Sequence, residues 1–204
     1  MIFKQFDDVC IPIPRTLTDC IVLIKSDMYR YCGYSSKSKI WREVLINPSF
    51  AFVFWLRLSS VQWIGYPVAK MIKTLIGRKR GLQISEHTPI GYGFYIAHAF
   101  GTIINPSAVI GNNCTISQFT TIGAIEGNAA VIGNNVYIGP SVCIVENIKV
   151  GSNSTIGAGA VVVKNVPDNS TVAGVPAKVI SYNQPARLIN NRFPYEDCIC
   201  YYLS

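Results

Sequence analysis

Between Ile104 and Val162 an aliphatic residue returns at every sixth position, in two registers: Ile104, Ile110, Ile116 and Ile122, then Ile132, Ile138, Ile144, Val150, Ile156 and Val162. A shorter run, Ile84, Ile90 and Ile96, precedes them. A period of six is neither helical nor a plain alternation, so each hexad has to supply one short strand and one corner. Two positions before the ladder residues stand Thr102, Ala108, Cys114, Thr120, Ala130, Val136, Val142, Ile148, Ser154 and Ala160, mostly small and none charged, as a narrow interior requires. Glycines such as Gly91, Gly111, Gly133 and Gly151 follow ladder residues and mark tight corners. Three strands and three corners close a triangular coil of about eighteen residues. Each coil rises by about 4.8 Å, and the chain is long enough for a parallel β-helix of about five coils.

The period slips twice. Eight residues separate Ile96 from Ile104, and the extra pair falls within Ala97-His98-Ala99-Phe100-Gly101; ten separate Ile122 from Ile132, so four extra residues fall within 123–128. Insertions in a solenoid lie on its surface and are where a binding face is built. His98 sits in the first slip and is the one histidine of the ladder region.

The segment before the ladder reads as helical. Thr16 and Asp19 stand at capping-box spacing ahead of Ile21, Ile24 and Met28, which predicts a helix from Pro14 to about Tyr31. Further helices are expected over about Lys39 to Ile46, Phe50 to Val61 behind the cap Asn47-Pro48, and Tyr66 to Ile76, with Arg78-Lys79-Arg80 as a basic link into the ladder. The aromatic third stretch is interrupted by Arg57 and ended by Pro67, too short to span a bilayer; interfacial contact is the less favoured reading beside a buried helix. The expected organisation is a helical domain over 1–80, a β-helix over 81–180 and an irregular tail over 181–204.

The net positive charge is confined to the front. Residues 1–80 carry 13 Lys+Arg against 5 Asp+Glu, whereas 81–180 carry 3 against 4. Such a field favours an acidic partner or is simply a solvated helical face. No nucleic-acid motif is present. Seven cysteines without metal-type spacing, and an N-terminus without a secretory pattern, point to reduced thiols in a cytoplasm. Cys198 and Cys200 have no histidine partners, and only His87 and His98 exist, so no metal site is expected.

Taken together, the Ile-Gly hexads, the break His98-Ala99-Phe100-Gly101, the coil 156–162, the terminator Ala173-Gly174-Val175-Pro176-Ala177-Lys178 and the front segment Asn47-Pro48-Ser49-Phe50 resemble the hexapeptide-repeat acyltransferases, within them the serine acetyltransferase-like group. The resemblance implies a left-handed parallel β-helix, a homotrimer with active sites between subunits, acetyl-coenzyme A as donor in a groove between columns, and His98 as catalytic base. The pattern departs at three places. That group carries an aspartate directly before this histidine, where Ala97 stands; another further upstream, where Gln83 stands; and a second histidine in the extended loop, whereas 123–131 holds none. On these departures the expected acceptor is a hydroxyl of a sugar or polysaccharide precursor. Serine is the alternative acceptor, with N-acetylation of an amino sugar, or a non-catalytic trimeric scaffold, as further alternatives.

Alcohol attack on a thioester needs a base for the hydroxyl proton, and an imidazole accepts one at neutral pH, which is the role assigned to His98. Repeat arithmetic puts Gln118 one coil above His98, where it contacts the imidazole or the acceptor, or is merely a polar corner. Oxyanion stabilisation is assigned to backbone N–H groups at Gly123 or Gly139. Ala158 and Ala160 leave room for a pantetheine arm, while Lys164 and Lys178 meet coenzyme phosphates as point charges or are surface lysines. Cys114 is inward, and Cys143 has no basic partner nearby in sequence, so direct transfer is preferred to a covalent intermediate.

Overall fold

The computed structural model describes residues 1–195. The chain opens with an antiparallel hairpin, β1 (Ile2–Phe6) and β2 (Val9–Ile13), which the helix signals did not announce. Val9 and Ile11 pack on Val109 of the column, while Phe3 packs with Leu23 of the first helix, so the hairpin touches both the β-helix and the helical layer. The α1 helix (Leu17–Cys32) has the expected capping box at Thr16 and Asp19 and stops at Gly33 in the left-handed region. Ser36 caps α2 (Lys37–Ile46), two residues earlier than Lys39. In α3 (Pro48–Leu58) the Asn47 side chain accepts from the N–H groups of Ser49 and Phe50.

The aromatic stretch of α3 is buried on two sides. Phe52, Val53 and Leu56 join the core of the column, whereas Phe50, Phe54 and Leu58 pack among the helices. Among the described residues no helix is long and apolar enough to cross a membrane. The fourth helix, α4 (Tyr66–Arg80), runs four residues past Ile76, because Arg78, Lys79 and Arg80 complement the carbonyl end of the helix dipole and Gly81, at φ 67°, is what ends it. Arg57 then bolts the layers together. Its Nε and Nη2 donate to the Asp27 carboxylate at 2.8 and 3.0 Å, and its remaining donors reach the carbonyls of Ile90 and Gly91 at 2.8 and 2.6 Å.

The ladder forms twelve two-residue strands: β3 (Gln83–Ile84), β4 (Tyr95–Ile96), β5 (Ile103–Ile104), β6 (Val109–Ile110), β7 (Thr115–Ile116), β8 (Thr121–Ile122), β9 (Val131–Ile132), β10 (Tyr137–Ile138), β11 (Cys143–Ile144), β12 (Lys149–Val150), β13 (Thr155–Ile156) and β14 (Val161–Val162). They stack in parallel on three faces. One carries β4, β7, β10 and β13 and ends in β15 (Thr171–Ala173); the second carries β3, β5, β8, β11 and β14; the third carries β6, β9 and β12, extended by bridges at Ile90 and Val166. This is the solenoid of about five turns that the hexad period demanded. Ile96, Ile110, Ile116, Ile122, Ile132 and Ile138 are fully buried along its axis, each contributing roughly 1.5–3 kcal/mol of apolar burial. At the corners Asn113, Asn135, Asn153 and Asn169 take positive φ, which Asn tolerates better than most residues. Their amides bond up the column, Asn135 to Asn153 and Asn153 to Asn169.

The column closes where β16 (Lys178–Ser181) pairs antiparallel with β15. From there the tail runs back down the corner: Ala186 donates to Asn153, and Phe193 and Asn113 exchange two hydrogen bonds. Cys198 and Cys200 lie outside the described residues.

Candidate functional site

His98 stands at the corner between β4 and β5. Elsewhere on the column the left-handed residue comes three positions after the ladder residue, as at Asn113, Phe119, Asn135 and Ser141; here His98 itself, two after Ile96, has φ 51°, and Gly101 has φ 64°. The two inserted residues thus make a double bend that thrusts the imidazole outward, and His98 is exposed. Non-glycine residues held in this region cost roughly 1–3 kcal/mol and cluster at functional sites.

The helices hold that bend. Ser49 of α3 accepts from the Ala99 N–H through its hydroxyl at 3.0 Å; the Arg80 carbonyl accepts from the Gly101 N–H at 2.8 Å; Tyr31 of α1 both donates to the carbonyl and accepts from the N–H of Ile96, each at 3.2 Å. Burial pushes the Tyr31 phenol well above its ordinary value, so Tyr31 is a neutral strut and not a base. Between these elements lies a groove of about 440 Å³ lined by Tyr31, Asn47, Ser49, Arg80, Tyr95 and Phe100 around His98. Asn47 was legible only as a helix cap and Arg80 only as part of a basic link; no sequence signal joined them to the histidine, because they reach it through packing across the helix–column boundary.

The remaining candidates fall in three groups. The register pairs Ile96 with Ile116, Ile116 with Ile138, Ile138 with Ile156 and Ile156 with Val172. His98, Gln118, Pro140, Ala158 and Gly174, each two positions on, therefore share one corner. Gln118 is one coil above His98 and half-buried, and Ala158 is exposed. Lys178 pairs with Ala173 at the top of this corner and is exposed. A molecule touching both Lys178 and His98 has to lie along four strand spacings, about 19 Å.

Two assignments need correction. Gly139 donates its N–H to the Ile156 carbonyl at 2.9 Å and Gly123 to Ile144 at 3.0 Å, as the residue after each ladder position does throughout the column, so neither N–H points at a thioester. Ala160 is fully buried inside the column and lines no external channel. Gly123 and Lys164 lie at the other end of the second face, after β8 and β14; Gly123 shares a separate groove with Lys70, Gln83, Ile103 and Ala124. The extended loop there is pinned by Glu146, whose Oε2 accepts from the N–H groups of Ile125, Glu126 and Gly127 at 2.6, 3.0 and 3.0 Å; those bonds lower its pKa.

Cys114 is buried, and burial pushes its thiol up to about 12, which leaves it inert. Cys143 is exposed on the second face, on β11. His87 is exposed on the segment after β3 and lines a different groove from His98, beside Pro12, Glu86 and Pro89. Among the described residues no three His, Cys, Asp or Glu side chains group as a metal site.

The family profile "Bacterial transferase hexapeptide (six repeats)" matches residues 129–164. The serine acetyltransferase of Bacillus pumilus is 32% identical over 182 residues, covering 86% of this chain and 83% of that protein. That of Bacillus subtilis is 29% identical, covering 79% and 77%. Among solved structures, the Neisseria gonorrhoeae serine acetyltransferase in complex with serine superimposes with a TM-score of 0.68 at 28% identity, over 81% of this chain and 70% of the other. The Brucella abortus serine acetyltransferase in complex with coenzyme A gives 0.62 at 29% identity, over 79% and 66%. With the hexad column, the interrupted corner and this extent of likeness, the chain belongs to the serine acetyltransferase-like group of left-handed β-helix acyltransferases.

Proposed function

We propose that this protein is an acetyl-coenzyme A-dependent O-acetyltransferase in which His98 is the general base. The observation that carries the reading is the double bend at 98–101, which turns one imidazole out of an otherwise aliphatic column into a groove. In the step proposed, Nε2 or Nδ1 of His98 removes the proton from the acceptor hydroxyl and the oxygen attacks the thioester carbonyl. The tetrahedral adduct then collapses with loss of the coenzyme A thiolate, and the proton held by the imidazole returns to that sulfur. The corner through Gln118, Ala158 and Lys178 offers the extended track such a donor needs, and the exposed Lys178 would meet its phosphates at the far end. The reading treats the catalytic unit as a homotrimer, with each groove completed by a neighbouring column.

The acceptor supported by the relatives is serine, since the proteins most like this chain are serine acetyltransferases and one is solved with serine bound. This ranks serine ahead of the saccharide hydroxyl expected from the sequence. Three departures favour the saccharide reading: Ala97 precedes the base, Gln83 lies on another face, and 123–131 contains no histidine. A coenzyme A-release assay with L-serine and a panel of nucleotide sugars and oligosaccharide repeat units separates the two. His98→Ala is expected to lower turnover by about 10²–10⁴-fold on whichever acceptor reacts. Retained turnover in that variant would overturn the mechanism.

A further inference from the structure

The groove beside His98 has one permanent charge, and it is positive. Arg80 lines it, and among the described residues no Asp or Glu does. The two buried arginines of the helical layer have every nitrogen engaged: Arg30 donates to the carbonyls of Asn190 and Gly93 and to Thr115 Oγ1, and Arg57 holds Asp27 and two carbonyls. Arg80 differs. Its Nη1 reaches the Ala99 carbonyl only at 3.5 Å, at the outer limit of a hydrogen bond, and among the described residues no carboxylate pairs with it. Its backbone is nonetheless anchored to the bend, since the Gly101 N–H donates to the Arg80 carbonyl. A guanidinium whose root is fixed to the base-bearing loop, and whose donors face a groove, is placed to read an anion at a set distance from the reacting hydroxyl.

We propose that Arg80 anchors a carboxylate of the acceptor, so that the site selects hydroxy acids over neutral alcohols. The planar fork of the guanidinium matches a carboxylate with two parallel N–H donors, a geometry that adds direction as well as charge. The inference rests on the acetyl-transfer reading and deepens it. Two acceptor sources carry this chemistry, an amino acid such as serine and a hexuronate sugar. They differ in a second charge: an amino acid brings an ammonium, and among the described residues the groove supplies no carboxylate for it. A hexuronate has no such group to satisfy, and Tyr95 and Phe100 offer ring faces beside it.

The test measures coenzyme A release by the full-length protein with two matched pairs, L-serine against L-serinamide and glucuronate against glucose, for the parent, Arg80→Gln and Arg80→Lys. Within the pair that reacts, the carboxylate member is expected to have the lower KM, and Arg80→Gln to raise that KM about tenfold or more while leaving the uncharged partner unchanged. Arg80→Lys, which keeps the charge and loses the fork, should fall between. Thermal unfolding of both variants checks that the bend still folds. A rise below about threefold in Arg80→Gln, or an equal rise for both members of the pair, overturns the proposal. Reaction of serine assigns the source to an amino acid, and reaction of glucuronate to an acidic sugar. Should the parent release no coenzyme A with any acceptor, acetyl transfer itself falls. The anchor is then decided by saturation-transfer NMR, where weaker binding of glucuronate or L-serine to Arg80→Gln sustains it, and equal or absent binding to the parent removes it.

Discussion

The bond from the Ala99 N–H to the Ser49 hydroxyl ties helix α3 to the loop that carries the base, and its removal by Ser49→Ala has a calculable effect. Donor and acceptor are both buried, Ala99 at 1% exposure and Ser49 at 8%, and stand 3.0 Å apart. Alanine leaves the shape of α3 intact and orphans one buried N–H, for which the cost is about 1–3 kcal/mol. At about 1.4 kcal/mol per tenfold, that is roughly a 5- to 150-fold rise in the population of the opened bend. Amide hydrogen exchange reads this directly. Protection of Ala99 should fall by that factor, while amides in the middle of the column, such as Tyr137 and Thr155, keep theirs because their partners are the stacked coils. Turnover should fall with it, since an open bend no longer presents His98 to the groove. Unchanged exchange at Ala99 would refute the view that the helical layer holds the catalytic corner in place.

Three further outcomes follow from the same geometry. Arg57→Met leaves Asp27 buried without its partner, and urea denaturation should register a loss of about 3–5 kcal/mol; a loss below about 1 kcal/mol would mean the layers are joined by apolar packing alone. Gly101→Ala puts a side chain at φ 64° with its Cβ 2.5 Å from the Phe119 ring; the backbone strain alone costs about 1–2 kcal/mol, and a denaturation midpoint matching the parent would contradict it. Glu86 meets Lys70 at 2.7 Å and Lys73 at 2.6 Å; burial opposes its charge, but these two bonds prevail and hold its pKa at about 2. A depressed carboxylate stabilises the fold above its ordinary pKa and loses that contribution as pH falls from there toward about 2. Denaturant midpoints between pH 5 and pH 2 should therefore decline less steeply in Glu86→Gln than in the parent, and parallel curves would show the pair to be inconsequential.

Spacing along the chain was enough to specify the column. A side chain that recurs every sixth residue has one arrangement in which all copies leave water, and small uncharged residues two positions earlier fit only the inside of a narrow triangle, so the three-stranded coil, the approximate number of coils and the two breaks were readable from spacing. The caps at Thr16 and Asn47 were readable for the same reason, since each is a local contest over a few backbone donors. The hairpin at the N-terminus was not readable, because the apolar face of Val9 and Ile11 is buried against Val109, far along the chain. Nor were the donors at Gly123 and Gly139: glycine there announced a corner, but only stacking revealed that each N–H is taken by the coil above. Tertiary structure alone decided the surroundings of His98. Tyr31, Ser49 and Arg80 sit on three different helices whose own patterns concern their caps and buried faces, and they converge on the bend because Arg57 and the apolar face of α3 dock the helical layer onto the first coil. Periodicity is a local property that every hexad repeats, whereas a groove exists only where two unlike layers meet.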